Sequence, residues 1–454
     1  MDIVLSFSSL CLLLVAGKIL RVKVRLLQRL YLPASVIGGL VGLVVLQAFG
    51  SYLPAGTIAG WSRLPGFLIN IVFAALFLGV TIPSLKTTWQ IAGPQLAYGQ
   101  IVAWGQYAVG VGISLLVLVP LFSVQGFLGT IIPVGFEGGH GTAAGLRQTF
   151  EIFDWPEGTD YALASATAGI VFAIVVGMAL INWAARRGIT QKLKRIEDMP
   201  ESSIVGIYDV AERPVAGRQT VSAASVDSFA LHLAIIGVAI FFGYLFKLGL
   251  VRIEGVFPGL AEKKLLTGFP LFPLCMIGGL IVQLFLSRFA KTDPVDHQLM
   301  QRVSGTAMDF LVVAAISTIN LPVVMKGFAP FAILVAMGVL WNVFCVVWLA
   351  KRLLPRDSWF ERAIAEMGQS MGVTATGLLL LRVVDPEAET DATSAFGYKQ
   401  LLHEPFMGGG LWTSMAIPLA IVQGPRAVFV ISVIAIALWL VVWAALFRRR
   451  MHAR

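Results

Sequence analysis

The chain is 454 residues long, 57% hydrophobic and only 13% charged, with a mean hydropathy of +0.83. Such a composition has too little polar surface to coat a soluble globule of this size, so most of the chain belongs in lipid. The net charge of +9 comes from short Lys and Arg clusters between apolar runs. That pattern orients a membrane protein rather than gripping phosphates, and no nucleic-acid partner is expected.

Eleven runs approach the 20 or so apolar residues that a spanning helix needs: 3–20, 33–49, 66–84, 98–122, 161–184, 229–250, 267–287, 306–325, 328–350, 404–423 and 427–447. The first is followed, not preceded, by positive charge (Lys18, Arg21, Lys23, Arg25, Arg29), the reverse of a cleaved signal. Keeping those charges in the cytoplasm puts the N-terminus outside. The long polar linker after Arg186, the Lys351, Arg352, Arg356, Arg362 group and the terminal Arg448, Arg449, Arg450 then fall inside. Only the segment with Lys247, Arg252, Lys263 and Lys264 dissents. Cys11, Cys275 and Cys345 each lie in an apolar run, which suggests neither disulfides nor a metal cluster.

The chain carries one pattern twice. Pro33 to Phe49 reads PASVIGGLVGLVVLQAF and Pro273 to Phe289 reads PLCMIGGLIVQLFLSRF. In the same register Val72-Phe73-Ala74-Ala75 faces Val312-Val313-Ala314-Ala315, and GGHGTAAGL (Gly138 to Leu146) is echoed by GQSMGVTATGL (Gly368 to Leu378). Each copy has an odd number of crossings, so the second enters the membrane from the opposite side. The expected fold is an all-α polytopic membrane protein with two inverted repeats, each of five transmembrane helices plus one re-entrant hairpin, and one additional C-terminal transmembrane helix. The repeats span 1–185 and 229–425, separated by a cytoplasmic linker at 186–228, with the extra helix and basic tail at 426–454.

The glycine-rich stretches, about 126–150 and 361–384, are too polar for ordinary spans. As re-entrant hairpins they would bury irregular backbone in protein or line a wet cavity, with their tips meeting near the midplane. Glycines such as Gly138, Gly139, Gly141 and Gly372 let backbone amides approach a ligand, and half-helix N-termini favour an anion. Thr142, Thr374 and Thr376 can orient that anion, while Ser370, Thr374 and freed carbonyls can coordinate a small hard cation such as sodium. Coupling then needs no buried acidic cage. Glu137 is either a further cation ligand or a hairpin-entry charge, and Asp309 either takes a cation or proton or lies at the interface near Arg302. Arg147 and Arg382 close the hairpins, where each either pairs with a substrate carboxylate or snorkels to the headgroups. His140 can brace its loop through a neutral imidazole, or relay a proton. The alternative for the small residues is tight helix packing.

These residues resemble the bacterial sodium/glutamate symporters. The likeness rests on Tyr31-Leu32-Pro33 through Ile37-Gly38-Gly39-Leu40, on Gly138-Gly139-His140-Gly141-Thr142, on the span from Ala164 to Gly177 and on Gly372-Val373-Thr374-Ala375-Thr376. The second hairpin departs in carrying Gln369-Ser370-Met371 and in having Ala375 where proline is usual. The resemblance implies inward import of glutamate with sodium as the coupling ion, a bacterial inner-membrane location, a homodimer with a fixed scaffold, and an elevator-like movement of the part holding both hairpins. It implies no cofactor and no catalytic residue.

Proton coupling, or another carboxylate as substrate, stays open within the same class. An intramembrane enzyme on lipid-linked substrates would need paired acidic ligands or a nucleophile with its base, and the sequence shows no His-Glu-x-x-His and no Gly-x-Ser-x-Gly. A P-loop is also missing, so the expected energy source is an ion gradient.

Overall fold

Helices follow the apolar runs, because a segment in lipid must satisfy its own backbone hydrogen bonds. The computed structural model describes residues 2–80, 85–190, 205–290, 292, 294–386 and 389–448. Among them no strand occurs, and eleven helices are long and apolar enough to cross a membrane. Lys192, Lys194, Arg195 and Pro200 of the linker, Lys291, and Arg449 and Arg450 of the tail lie outside the described residues.

The first half runs α1 (Asp2–Lys23), α2 (Ala34–Phe49), α3 (Ala55–Ala74), α4 (Leu85–Ile113), α5 (Ile131–Phe136), α6 (Gly139–Gly145), α7 (Arg147–Ile152) and α8 (Glu157–Arg186). The second runs α9 (Ser228–Val256), α10 (Phe272–Phe289), α11 (His297–Ser317), α12 (Leu321–Lys326), α13 (Phe328–Phe344), α14 (Trp359–Val384), α15 (Ala392–His403) and α16 (Leu411–Val422). A last helix, α17 (Pro425–Leu446), follows. Side-chain caps start the second half cleanly: the Asp227 carboxylate accepts from Phe229 N and Ala230 N at 2.9 and 3.1 Å, and Asp296 accepts from Leu299 N at 2.9 Å, satisfying amides that have no partner within the helix. The two halves also share an irregularity. α4 and α13 each run on into a five-residue π turn, Ser114–Leu118 and Cys345–Leu349.

Two helix groups form. In one, α1, α2 and α3 pack with α9, α10 and α11. In the other, α4 packs with α13, α15 and α17, while α8 packs with α14, α5 and α6. The short α6 joins the groups by lying against α3 and α11. Small residues set the closest approaches: a Cβ on Gly279 would come 2.2 Å from Ala74 O, and one on Gly169 2.2 Å from Met371 O. Burial separates lipid-facing helices from central ones. Only 11% of the most apolar window of α17 is buried, against 67% for α14.

Three spans differ from the sequence expectation. The run at 404–423 is helical only over α16, because Pro405 lacks an N–H and Gly408 to Gly410 disfavour helix. The 66–84 span is displaced to Ala55–Ala74, with 81–84 outside the described residues. The 306–325 span ends at Ser317, and a new helix starts after Asn320, whose side chain caps Val323 N at 3.5 Å ahead of Pro322.

Candidate functional site

Both glycine-rich stretches break, and both breaks carry a left-handed residue. Gly139 has φ 68° at the start of α6. In α14, Gly372 (φ −146°, ψ 25°) and Val373 (φ 68°, ψ 167°) are non-helical. The second stretch reverses there: a Cβ on Gly368 would lie 2.6 Å from Gly377 Cα, although an unbroken helix would hold residues nine apart about 13 Å from each other. Only glycine at 368 and 377 lets the two limbs run backbone to backbone. The two tips also touch, since a Cβ on Gly139 would stand 2.5 Å from Val373 Cγ1.

Around the tips lies a buried polar network. Lys399 and Glu366 form an ion pair at 2.7 Å with both side chains fully buried. The Lys399 ammonium also donates to Gln369 Oε1 at 3.1 Å and Gln400 Oε1 at 2.9 Å, while Gln95 Nε2 donates to Glu366 Oε2 at 2.8 Å. From Gln369 the chain of bonds continues to the first glycine-rich stretch: its Nε2 donates to Glu137 Oε1 at 3.0 Å, which also meets His403 Nε2 at 2.5 Å. From Gln400 it continues to the second tip, where Nε2 donates to Thr374 Oγ1 at 2.6 Å and Glu404 Oε2 at 3.0 Å, and the Thr374 hydroxyl donates to Glu404 at 3.1 Å.

The bonds fix the His403 tautomer. Trp104 Nε1 donates to Gln100 Oε1 at 3.0 Å, which leaves the Gln100 amide to donate to His403 Nδ1 at 3.2 Å. The ring proton therefore sits on Nε2 and points at Glu137, with the imidazole neutral. His140 is placed similarly. The hydroxyl of Thr167 is spent on Leu163 O at 3.0 Å, so its oxygen accepts from His140 Nε2 at 2.9 Å, tying the first tip to α8.

Several expected site residues come together here. Glu137, Gly138, Gly139, His140, Gly372, Thr374 and Thr376 line the crossing, with the Thr376 hydroxyl donating to Gly372 O. Ser370 is buried, donates to Asn342 Oδ1 at 2.6 Å, and receives Gln106 Nε2 on its carbonyl at 2.6 Å. Thr142 faces Gly409, whose Cβ would lie 2.1 Å from Thr142 Oγ1, and Gly141 packs on Ile69 and Met308. Among the described residues, the buried oxygens without a hydrogen-bond partner include Glu137 Oε2, Thr142 Oγ1, Gln106 Oε1 and Gln95 Oε1. Arg382 is exposed, nine residues along the outgoing limb from Val373. Arg147 is half-buried within electrostatic reach of Asp160, and Asp309 lies on an exposed face beside Ser35.

Sequence reasoning missed Glu366, Gln369, Lys399, Gln400, His403 and Glu404, and with them a buried acidic set that the expected coupling did without. The signal was present. Lys399 and His403, and Gln400 and Glu404, are i, i+4 pairs, which places four polar groups on one face of a helix in an apolar chain.

A many-spanned helical fold with a charged network sealed in its centre defines a multi-pass membrane transporter. The chain belongs to the sodium/glutamate symporter family, whose model matches residues 1–385. It is therefore a sodium-coupled transporter and not an enzyme. A search of curated proteins finds no significant match. The matched region contains Glu137, Glu366 and Thr374, whereas Lys399, Gln400, His403 and Glu404 lie beyond it.

Proposed function

We propose that the chain imports glutamate, or a closely related acidic amino acid, with sodium, by alternating access at the crossing of two re-entrant hairpins. The observation that carries this reading is the contact of Gly139 with Val373 beside a buried carboxylate, Glu137, that is bonded on one oxygen only. Buried polar groups are normally satisfied, so a free carboxylate oxygen buried beside the tips suits a cation ligand. Sodium takes oxygen ligands, and Glu137, with Ser370 and Thr374 near by, supplies them. The substrate carboxylates are assigned to the backbone and hydroxyls of Gly138, Gly139, Gly141, Thr142, Gly372, Thr374 and Thr376, with His140 bracing the loop. The outgoing limb of α14 starts at Thr374 and offers its first-turn amides to an anion. Arg147, Arg382 and Asp309 fall outside this set because of their positions.

The repeats are read as 1–185 and 229–425, inverted about the linker at 186–228. The matching order of elements and the paired π turns support that reading. The group of α1, α2, α3, α9, α10 and α11 is assigned as scaffold, in a homodimer, and the group holding both tips as the moving part. The protein is placed in a bacterial inner membrane with its N-terminus outside and its C-terminus cytoplasmic.

The test is uptake of labelled glutamate into proteoliposomes under an inward sodium gradient, an equal potassium gradient, or an imposed proton gradient. Sodium alone is expected to drive accumulation, and Gly141→Leu, whose side chain would run into Ile69 only 2.7 Å from the Cβ position, is expected to abolish it. Folded protein that accumulates glutamate under none of these gradients would refute the substrate assignment.

A further inference from the structure

The network holds three carboxylates, Glu137 and Glu366 buried and Glu404 half-buried, and one buried ammonium, Lys399. His403 is neutral in the tautomer that its bonds require. With the carboxylates ionised, Lys399 leaves a surplus of two negative charges, and burying a charge without compensation is costly. The lysine is not available to a substrate. Its side chain is fully buried, and its three N–H groups are taken by Glu366, Gln369 and Gln400 at 2.7, 3.1 and 2.9 Å. Gln369 and Gln400 in turn reach Glu137 and Glu404. The ammonium thus stands one amide away from each of the other two carboxylates, surrounded by oxygen acceptors as a bound cation would be.

We propose that Lys399 is a built-in cation of the transport site, held on a side chain in place of one further mobile cation per cycle. Before the site can seal and move, mobile cations must balance whatever negative charge the fixed groups leave over. The number carried with each substrate therefore follows the fixed charge of the network. Removing Lys399 adds one cation to the count, removing Glu366 subtracts one, and removing both restores it. Packing alone predicts no such pattern, because a lost bond weakens transport without changing the charge it moves.

This inference rests on the reading of the chain as a glutamate transporter driven by sodium, and the parent protein tests that reading by itself. The further test is the net charge moved per glutamate, obtained in proteoliposomes from the membrane potential at which a fixed glutamate gradient, with sodium and pH equal on both sides, gives no net flux. That readout counts sodium ions and protons alike. Lys399→Met is expected to raise the ratio by about one charge, Glu366→Gln to lower it by about one, and the double variant Glu366→Gln/Lys399→Met to return it to the parent value. Should the single variants fail to fold, Glu404→Gln, at a carboxylate that is only half-buried, takes their place: the proposal expects it to lower the ratio by about one charge, and a parent ratio there overturns it. The proposal is overturned by parent ratios in both single variants, by shifts of the same sign in both, or by a double variant that is unfolded, silent or away from the parent ratio. Loss of sodium-driven uptake in the parent would instead overturn the reading beneath it.

Discussion

Glu137 has one carboxylate oxygen held by Gln369 and His403 and the other unpartnered. Glu137→Gln keeps the shape and removes the charge, so it is expected to raise the sodium concentration for half-maximal uptake about tenfold, the equivalent of 1.4 kcal/mol or so, while the protein remains folded. An unchanged sodium curve would remove Glu137 from the ion site. Gly409 is constrained twice, by φ 93° and by Thr142 Oγ1 at 2.1 Å from its Cβ position. Gly409→Ala should cost roughly 1–3 kcal/mol and lower the thermal midpoint of the purified protein; a midpoint equal to the parent's would show that the tip region can yield. Glu137 and Thr374 were legible because they lie beside the glycine motifs. Lys399 and His403 were not, because they reach the tips from a helix that looked like a connection between spans, and only its i, i+4 polar spacing marked it.

At the scale of elements, α14 reverses because glycines at 368 and 377 let its limbs touch. A side chain at either position meets backbone, so Gly377→Val, at 2.5 Å from Ala365 O, is expected to splay the hairpin and abolish uptake in protein that still reaches the membrane. Uptake at the parent rate would mean that the limbs need not pack so closely. The places where the two stretches break, at Gly139 and at Gly372-Val373, were readable from glycine content. The broken tenth span was not, since hydropathy sums over Leu411–Val422 and the run before it without registering that Pro405 and three glycines interrupt the helix. α17 is a separate matter. It packs along α4 and is pinned by Trp443 Nε1 donating to Leu353 O at 2.8 Å. Trp443→Phe is expected to lower stability by about 1 kcal/mol, the net worth of a typical hydrogen bond, without altering sodium dependence.

Over the whole molecule, composition alone set the class, because a chain this apolar has no soluble solution. Sidedness follows from Lys and Arg placement and can be checked on residues with open surroundings. In a variant with Cys11, Cys275 and Cys345 replaced by alanine, a cysteine placed at the exposed Val215 is expected to react with a membrane-impermeant thiol reagent only from the cytoplasmic side, and one placed at Gly259 only from outside. The reverse result would invert the topology, and reaction of both from one side would remove the odd crossing number on which the proposal of inverted repeats depends. What sequence could not supply was the meeting of distant segments: Glu137 and His403 stand 266 positions apart in the chain.

The central claim is that the crossing of the two tips binds sodium and an acidic amino acid together. Its most direct test is equilibrium binding of labelled glutamate to the purified protein, with and without sodium, in the parent and in Glu137→Gln. Binding that requires sodium in the parent and is weakened in the variant is the predicted result. Equal affinity without sodium, or a variant indistinguishable from the parent, would contradict it.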